Sequence, residues 1–204
     1  MEGSGITAPF AVFDVETTGF AATGADRVIE IAIVQADHRG EIVDEWSTLL
    51  HPDRDPGPTW VHGISLELLL GAPHFEDVAG DIAERMEGRT LVGHNISFDL
   101  RFLAAEFERI GHPLPRIPAA CTMRMSRLLG KQAPRKLADC CDHFGVELIN
   151  AHSALDDARA TARLFGACLT AGCPLDETIR THDGIAPGVR WPALQASGIA
   201  YPRG

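Results

Sequence analysis

The sequence predicts an α/β domain with a mixed sheet flanked by helices, and three observations carry that expectation. First, Pro9-Phe10-Ala11-Val12-Phe13-Asp14-Val15 is apolar on both alternations, as a central strand covered on both faces requires. Second, the strand-like runs Val28 to Ala36 and Glu41 to Leu50 are joined by the short connection Asp37-His38-Arg39-Gly40, which suits an antiparallel hairpin. Third, the middle of the chain alternates helical and strand patterns, so a hairpin is followed by β-α units.

The remaining elements follow in order. Thr17-Thr18-Gly19 ends the first strand with turn chemistry. Asp77 to Met86 predicts an amphipathic helix and Arg89 to His94 a buried strand. Ser97 to Ile110 predicts a helix with Ser97 as its N-cap. A fifth strand is expected near Ile117, then short helices around Thr122 to Leu129 and Arg135 to Phe144, and a longer helix from about Ser153 to Leu169. On that last helix Ala154, Leu155, Ala158, Ala162, Phe165 and Leu169 form the expected buried stripe. Asp157 lies roughly 80° from the centre of the stripe, facing a cleft, and Asp156 roughly opposite it, facing solvent.

With 204 residues, 45% of them hydrophobic and 23% charged, the chain fits one globular domain, expected over residues 1–175. After Pro174 the periodicity breaks at Pro187, Pro192 and Pro202, so 176–204 is expected to be a tail or linker. Trp191, Leu194, Ile199 and Tyr201 are its groups able to dock on the body or on a partner. No signal-like start and no membrane-length apolar run is present, which predicts a protein that is neither secreted nor in a membrane. The five cysteines form no Cys-x-x-Cys pair, and a reducing cytoplasm is the expected location; vicinal Cys140 and Cys141 read as core-facing thiols. The net charge of −10 conceals a local reversal. Residues 1–60 carry eleven acids against three Lys or Arg, while residues 101–136 are net +6, which permits a phosphate-tracking groove.

Three short stretches carry chemistry. Asp14-Val15-Glu16 ends the buried strand with two carboxylates on one face, about 7 Å apart at their roots. Such a pair calls for a cation or a donor to balance it. Gly93-His94-Asn95 runs from a strand toward a helix whose first turn holds Asp99, where the helix dipole favours an acid. His152 precedes the helix that bears Asp157. Each stretch alone also has an ordinary structural explanation, as a solvated turn, a dipole-matched acid and an exposed histidine.

Together they resemble a known set. Phe13-Asp14-Val15-Glu16-Thr17-Thr18-Gly19, then Gly93-His94-Asn95 with Phe98-Asp99, then His152-Ser153-Ala154-x-x-Asp157 are similar to the three motifs of the DEDDh exonuclease family, to which the proofreading epsilon subunit of bacterial DNA polymerase III and RNase T belong. The resemblance spans residues 8 to 170. Val61-His62-Gly63-Ile64 also resembles the segment that lies beside the terminal nucleotide in these enzymes. The resemblance implies an RNase H-like mixed five-stranded sheet flanked by helices, and a hydrolase that removes 5′-mononucleotides from 3′ ends. It implies Asp14, Glu16, Asp99 and Asp157 as ligands of two divalent ions, Mg²⁺ or Mn²⁺, and His152 as general base. Thr17, Thr18, Gly19, His62, Asn95 and Phe98 are the implied substrate contacts. The expected partner is the 3′ end of DNA, with RNA as the alternative, and a DNA polymerase subunit or a second copy of the chain as protein partner. The rival class is a polymerase-associated interaction subunit without turnover. The Thr17-Thr18 pair resembles the proofreading branch more than the oligoribonuclease branch.

Overall fold

The computed structural model describes residues 8–181 and 190–199. The first three strands are β1 (Phe10–Thr17), β2 (Val28–Ala36) and β3 (Ile42–Leu49). Two single-turn helices, α1 (Thr59–His62) and α2 (Leu66–Leu69), lead to α3 (Phe75–Met86). The β-α part comprises β4 (Thr90–Gly93), α4 (Ser97–Arg109), β5 (Pro118–Cys121), α5 (Thr122–Leu129), α6 (Leu137–Phe144) and α7 (Ala154–Thr170). The short α8 (Leu175–Thr178) and two-residue β6 (Arg180–Thr181) follow. The sheet order is β3-β2-β1-β4-β5, with β6 added beside β5. β2 is antiparallel to β1 and β3, and β4 and β5 run parallel to β1, which gives the expected five-stranded mixed sheet.

The pleat of β1 divides the core in two. Ala11, Phe13 and Val15 face one layer with Phe75, Val78, Ile82 and Met86 of α3 and Leu100, Phe102, Leu103 and Phe107 of α4. Phe10 and Val12 face the other, with Ala158, Ala162 and Phe165 of α7 and with Met125, Cys140 and Cys141 of α5 and α6. Each large side chain so buried stabilises the fold by roughly 1.5–3 kcal/mol. Asp14 and Glu16 continue the alternation of Phe10 and Val12, so the sheet turns them toward α7.

Three local expectations are corrected. Ser97 is the first residue of α4 rather than its N-cap, and makes no capping hydrogen bond. Asn95 in the left-handed region (φ 63°) turns the chain so that helical geometry already begins at Ile96. The buried stripe of α7 is wider than expected. Ala160, Thr161, Leu164, Gly166 and Cys168 are also buried, because the helix lies between the sheet on one side and α5 and α6 on the other, while Leu155 and Leu169 are only half-buried. Asp156 is turned from the cleft but not free in solvent: it accepts from Arg159 (2.9 Å) and Asn150 (3.0 Å).

Glycine permits one close contact at the far end of α7. A Cβ on Gly166 would lie 1.8 Å from the Arg39 carbonyl oxygen, and one on Gly40 would lie 2.3 Å from the Ala162 carbonyl oxygen. The β2–β3 turn therefore rests directly on the helix backbone.

The segment after residue 175 takes part in the body wherever it is described. β6 pairs with β5, and residues 190–199 cross α3. Trp191 meets Phe107 edge to face (6.3 Å), and Trp46 Nε1 donates to the Ile199 carbonyl (2.9 Å). The Asp81 carboxylate accepts from Ser197 N–H and O–H (both 2.7 Å) and from Gly198 N–H (2.8 Å). Burial raises the Asp81 pKa, but these donors outweigh it and leave the carboxyl below its ordinary value. Tyr201 lies outside the described residues. Asp81→Ala should lower stability by roughly 2 kcal/mol or more, the scale of lost hydrogen bonds to a charged group. The check is a lower urea midpoint with an unchanged slope, together with faster proteolytic cleavage near residue 190.

Candidate active site

The site forms where β1 ends and the N-termini of α4 and α7 arrive. Asp14 and Glu16 leave β1 on the α7 face, both half-buried. Glu30 stands directly across from Glu16 in the β1–β2 register and is 2% exposed. β4 runs parallel to β1 and delivers the chain through Gly93-His94-Asn95 into α4, whose first turn carries buried Asp99. From the other side, His152 in the left-handed region (φ 70°) turns the chain into α7, whose first turn carries Asp157. The His152 N–H donates to Asp157 Oδ2 (3.2 Å), and ligand atoms of Glu16, His152 and Asp157 all lie within 4.8 Å of one another.

The electrostatics show how tightly the acids are gathered. Burial, then the charges of Asp99, Asp157, Glu16 and Glu30, hold the Asp14 carboxyl well above the usual carboxylate range. Burial pushes Asp99 up to about 8; the charge of Asp157 adds to this, and the N–H groups of Asp99 itself and Val15 oppose it. Burial pushes Asp157 up to about 6, against the N–H and charge of His152. All five predicted catalytic residues thus converge at one end of the sheet.

Glu30 was not among the residues singled out from sequence. Its Oε2 accepts the N–H of Ala154, the first residue of α7 (3.1 Å). That amide is one of the orphan donors of a helix start, and the Ser153 side chain does not cap it. Glu30 therefore docks the α7 N-terminus onto β2 beside His152 and Asp157. The signal available in the sequence is a lone acid inside the apolar run Val28-Ile29-Glu30-Ile31-Ala32-Ile33-Val34.

The residues expected to touch substrate fall into two groups. Thr17, Thr18 and Gly19 shape the turn after β1. The Thr17 hydroxyl donates to the Gly19 carbonyl (2.7 Å), that of Thr18 donates to Asp26 (3.1 Å), and a Cβ on Gly19 would meet the Asp26 carboxylate at 2.4 Å. His62 is buried, its Nδ1 accepting from Ile64 N–H (3.0 Å), while neighbouring Trp60 and Val61 face solvent. Asn95 is exposed and Phe98 half-buried. The Phe98 ring lies 6.2 Å from exposed Phe20, 5.0 Å from Phe102 and 5.9 Å from the Arg101 guanidinium carbon. His94 is occupied within the fold, contacting Thr122 Oγ1 (2.9 Å) and the Arg135 carbonyl (2.8 Å). The basic segment does not form a single groove. Arg109 donates to the carbonyls of Ala22, Gly24 and Asp26, whereas Arg124 and Arg127 line a separate depression with Arg180.

The chain is similar to known proteins. The RNase T-type exonuclease family matches residues 11–165. The chain belongs to that exonuclease family. The PolC-type DNA polymerase III of Oceanobacillus iheyensis is 37% identical over 159 residues, which are 76% of this chain and 11% of that protein. The Bacillus cereus protein of the same name is 31% identical over 198 residues, covering 96% and 13%. The chain thus spans only about a tenth of the length of these relatives. Among solved structures, exonuclease X in complex with 5′ overhanging duplex DNA has a TM-score of 0.67 at 26% identity, covering 83% of this chain and 96% of that one. The nuclease domain of 3′hExo, a DEDDh family member, shares the fold with a TM-score of 0.68 at 18% identity, covering 86% and 96%.

Divalent metal ions serve this family, and the site suits them. Asp157 Oδ1 is buried with no hydrogen-bond partner, and its neighbours are carboxylate oxygens and one imidazole, a donor set for hard or borderline cations.

In the ion-free protein the folded state keeps protons on Asp99 and Asp157 at pH values where unfolded carboxyls, with pKa near ~4, have lost them. Their contribution to stability therefore falls as pH rises from about 4 through 8. In EDTA, the thermal midpoint of Asp99→Asn should drop less between pH 5 and pH 8 than that of the unmodified protein. Glu30→Ala should cut turnover at least about tenfold at unchanged helical content, and Glu30→Gln, which keeps an acceptor for Ala154, should retain more activity. Equal losses in the two variants would show that the charge of Glu30, not its hydrogen bond, matters.

Proposed function

We propose that this domain removes nucleotides one at a time from the 3′ end of single-stranded or frayed DNA and releases 5′-mononucleotides. The observation that carries the proposal is the convergence of Asp14, Glu16, Asp99, Asp157 and His152 from β1, α4 and α7. Two divalent cations, Mg²⁺ or Mn²⁺, would be held there by Asp14, Glu16, Asp99 and Asp157. When bound, they supply the positive charge that balances the carboxylates and the phosphoryl oxygens of the scissile group.

His152 is exposed at the mouth of the site, next to Glu16 and Asp157. Its imidazole accepts the proton of the attacking water. The water oxygen forms the new bond to phosphorus, the bond to the 3′-oxygen of the penultimate nucleotide breaks, and that oxygen takes up a proton from solvent to become the new 3′-hydroxyl. Asn95, Phe20 and Phe98 line the approach, with Phe98 offering a ring to stack on a base, an interaction worth roughly 1–3 kcal/mol. The Thr17-Thr18-Gly19 turn brings backbone groups close to the terminal nucleotide, and His62 supports the adjoining wall from beneath Trp60 and Val61.

DNA is the preferred substrate class because the PolC-type relatives are DNA polymerases and exonuclease X was solved on duplex DNA. The same relatives suggest that the domain works beside a polymerase. No helix among the described residues is long and apolar enough to cross a membrane, and the five free, buried cysteines suit the reducing cytoplasm in which we place the protein.

Digestion of matched DNA and RNA oligonucleotides tests this proposal. DNA should shorten from its 3′ end, stop at a 3′-terminal phosphorothioate and require Mg²⁺ or Mn²⁺. Asp14→Ala and Asp99→Ala should abolish the reaction, and His152→Ala should slow it at least ~100-fold, the scale of a lost general base. Shortening from the 5′ end, or full activity in EDTA, would overturn the proposal, and faster digestion of RNA would change its substrate.

A further inference from the structure

We propose a second metal site, separate from the catalytic acids, in which His51, Asp53 and His74 bind a transition-metal ion of the zinc type. Ligand atoms of these three residues lie within 4.8 Å of one another. His51 Nδ1 is 3.3 Å from Asp53 Oδ1, and His74 Nδ1 is 3.2 Å from Asp53 Oδ2. With metal–ligand bonds of about 2.0–2.1 Å, neighbouring ligands of a tetrahedral site stand roughly 3.3 Å apart, so small side-chain rotations complete the geometry.

The side chains come from two segments fixed against each other. His51 immediately follows β3 and Leu50, and its N–H donates to the Pro73 carbonyl (2.9 Å), one residue before His74. His74 caps α3, where its N–H donates to Asp77 Oδ2 (2.9 Å) and its carbonyl accepts from Asp77 N–H (3.1 Å). The two imidazole rings meet at 5.2 Å between centroids, at 67°.

Hydrogen bonding also favours a cation at this point. The Asp53 N–H points at His51 Nδ1 (3.3 Å). The same nitrogen faces Asp53 Oδ1 at 3.3 Å. An imidazole nitrogen and a carboxylate oxygen at this separation are matched by a positive charge between them, which a proton or a metal ion supplies. Two imidazoles with one carboxylate select Zn²⁺, Co²⁺ or Ni²⁺ over Mg²⁺, the reverse of the oxygen-rich catalytic nest.

Occupancy would brace the rim of the active site. β3 runs in the same direction as β1, two strands away, so His51 emerges at the same end of the sheet, about 10 Å across. The loop that continues from Asp53 lies on the turn after β1. Arg54 pairs with Asp26 (2.9 Å), and a Cβ on Gly57 would sit 2.1 Å from the Thr18 carbonyl oxygen.

The test uses the full chain carrying Asp14→Ala, Glu16→Ala and Asp157→Ala, which removes the Glu16–His152–Asp157 group as a rival site and makes the outcome independent of nuclease activity. Zn²⁺ titrated in millimolar Mg²⁺ should bind with one saturable equivalent, and Co²⁺ should give the visible absorption of a tetrahedral site. Zn²⁺ should raise the thermal midpoint, and chelator should reverse it. His51→Asn or His74→Asn should each weaken binding about tenfold or more, and the double variant should lose the thermal response while keeping the circular dichroism of the parent. Absence of saturable Zn²⁺ binding, or binding unchanged in the double variant, would overturn the proposal.

Discussion

Carboxylates gathered away from water repel one another, and the whole molecule is organised around tolerating that repulsion. Asp14 senses four other acids, and burial alone already opposes its ionisation. The fold answers by placing the group at the end of a strand packed on both faces. β1 is packed on both faces and pairs with β4 as far as Val12 and with β2 through Glu16, which fixes the backbone that carries Asp14 and Glu16. Two helix N-termini point into the same space, and their partial positive charge favours Asp99 and Asp157. What remains uncompensated is the affinity for cations.

The two helices reach the site by different mechanical routes. α4 is tied to the start of β2 by Glu106, which accepts from Arg27 Nε (2.9 and 3.0 Å) and from the N–H of Val28 (3.0 Å). α7 is held by Glu30 at its first residue. Both anchors end on β2, so β2 sets the distance between the two walls of the site although it contributes no predicted ligand. A domain that is internally braced in this way is suited to serve as a module, consistent with its matching about a tenth of much longer relatives.

Much of this was legible in the sequence because the elements are strongly patterned. Phe10 to Val15 is apolar on both alternations since both faces are buried, and the DEDDh residues stand at motif spacings that survive without any view of their neighbours. Features decided by long-range contact were not legible. Glu30 resembles an ordinary interruption of an apolar strand, and its hydrogen bond to Ala154 forms with a helix that begins 124 residues later. β6 is two residues long and exists through its pairing with β5. Residues 190–199 carry too many breaks for a period, yet Asp81 captures them through three hydrogen bonds. The position of the α4 cap shifted because a left-handed Asn95 overrode the usual preference for serine.

The contact between Gly40 and Gly166 gives α7 the character of a beam supported at both ends. At 1.5 Å per residue, Gly166 is about 14 Å from Asp157, and the β2–β3 turn presses on it there without a side chain to yield. Any bulk inserted at that remote seat would have to be relieved by tilting the beam about its middle, and the opposite end would swing. The spacing of the acids is thus governed in part by two hydrogen atoms on the other side of the molecule.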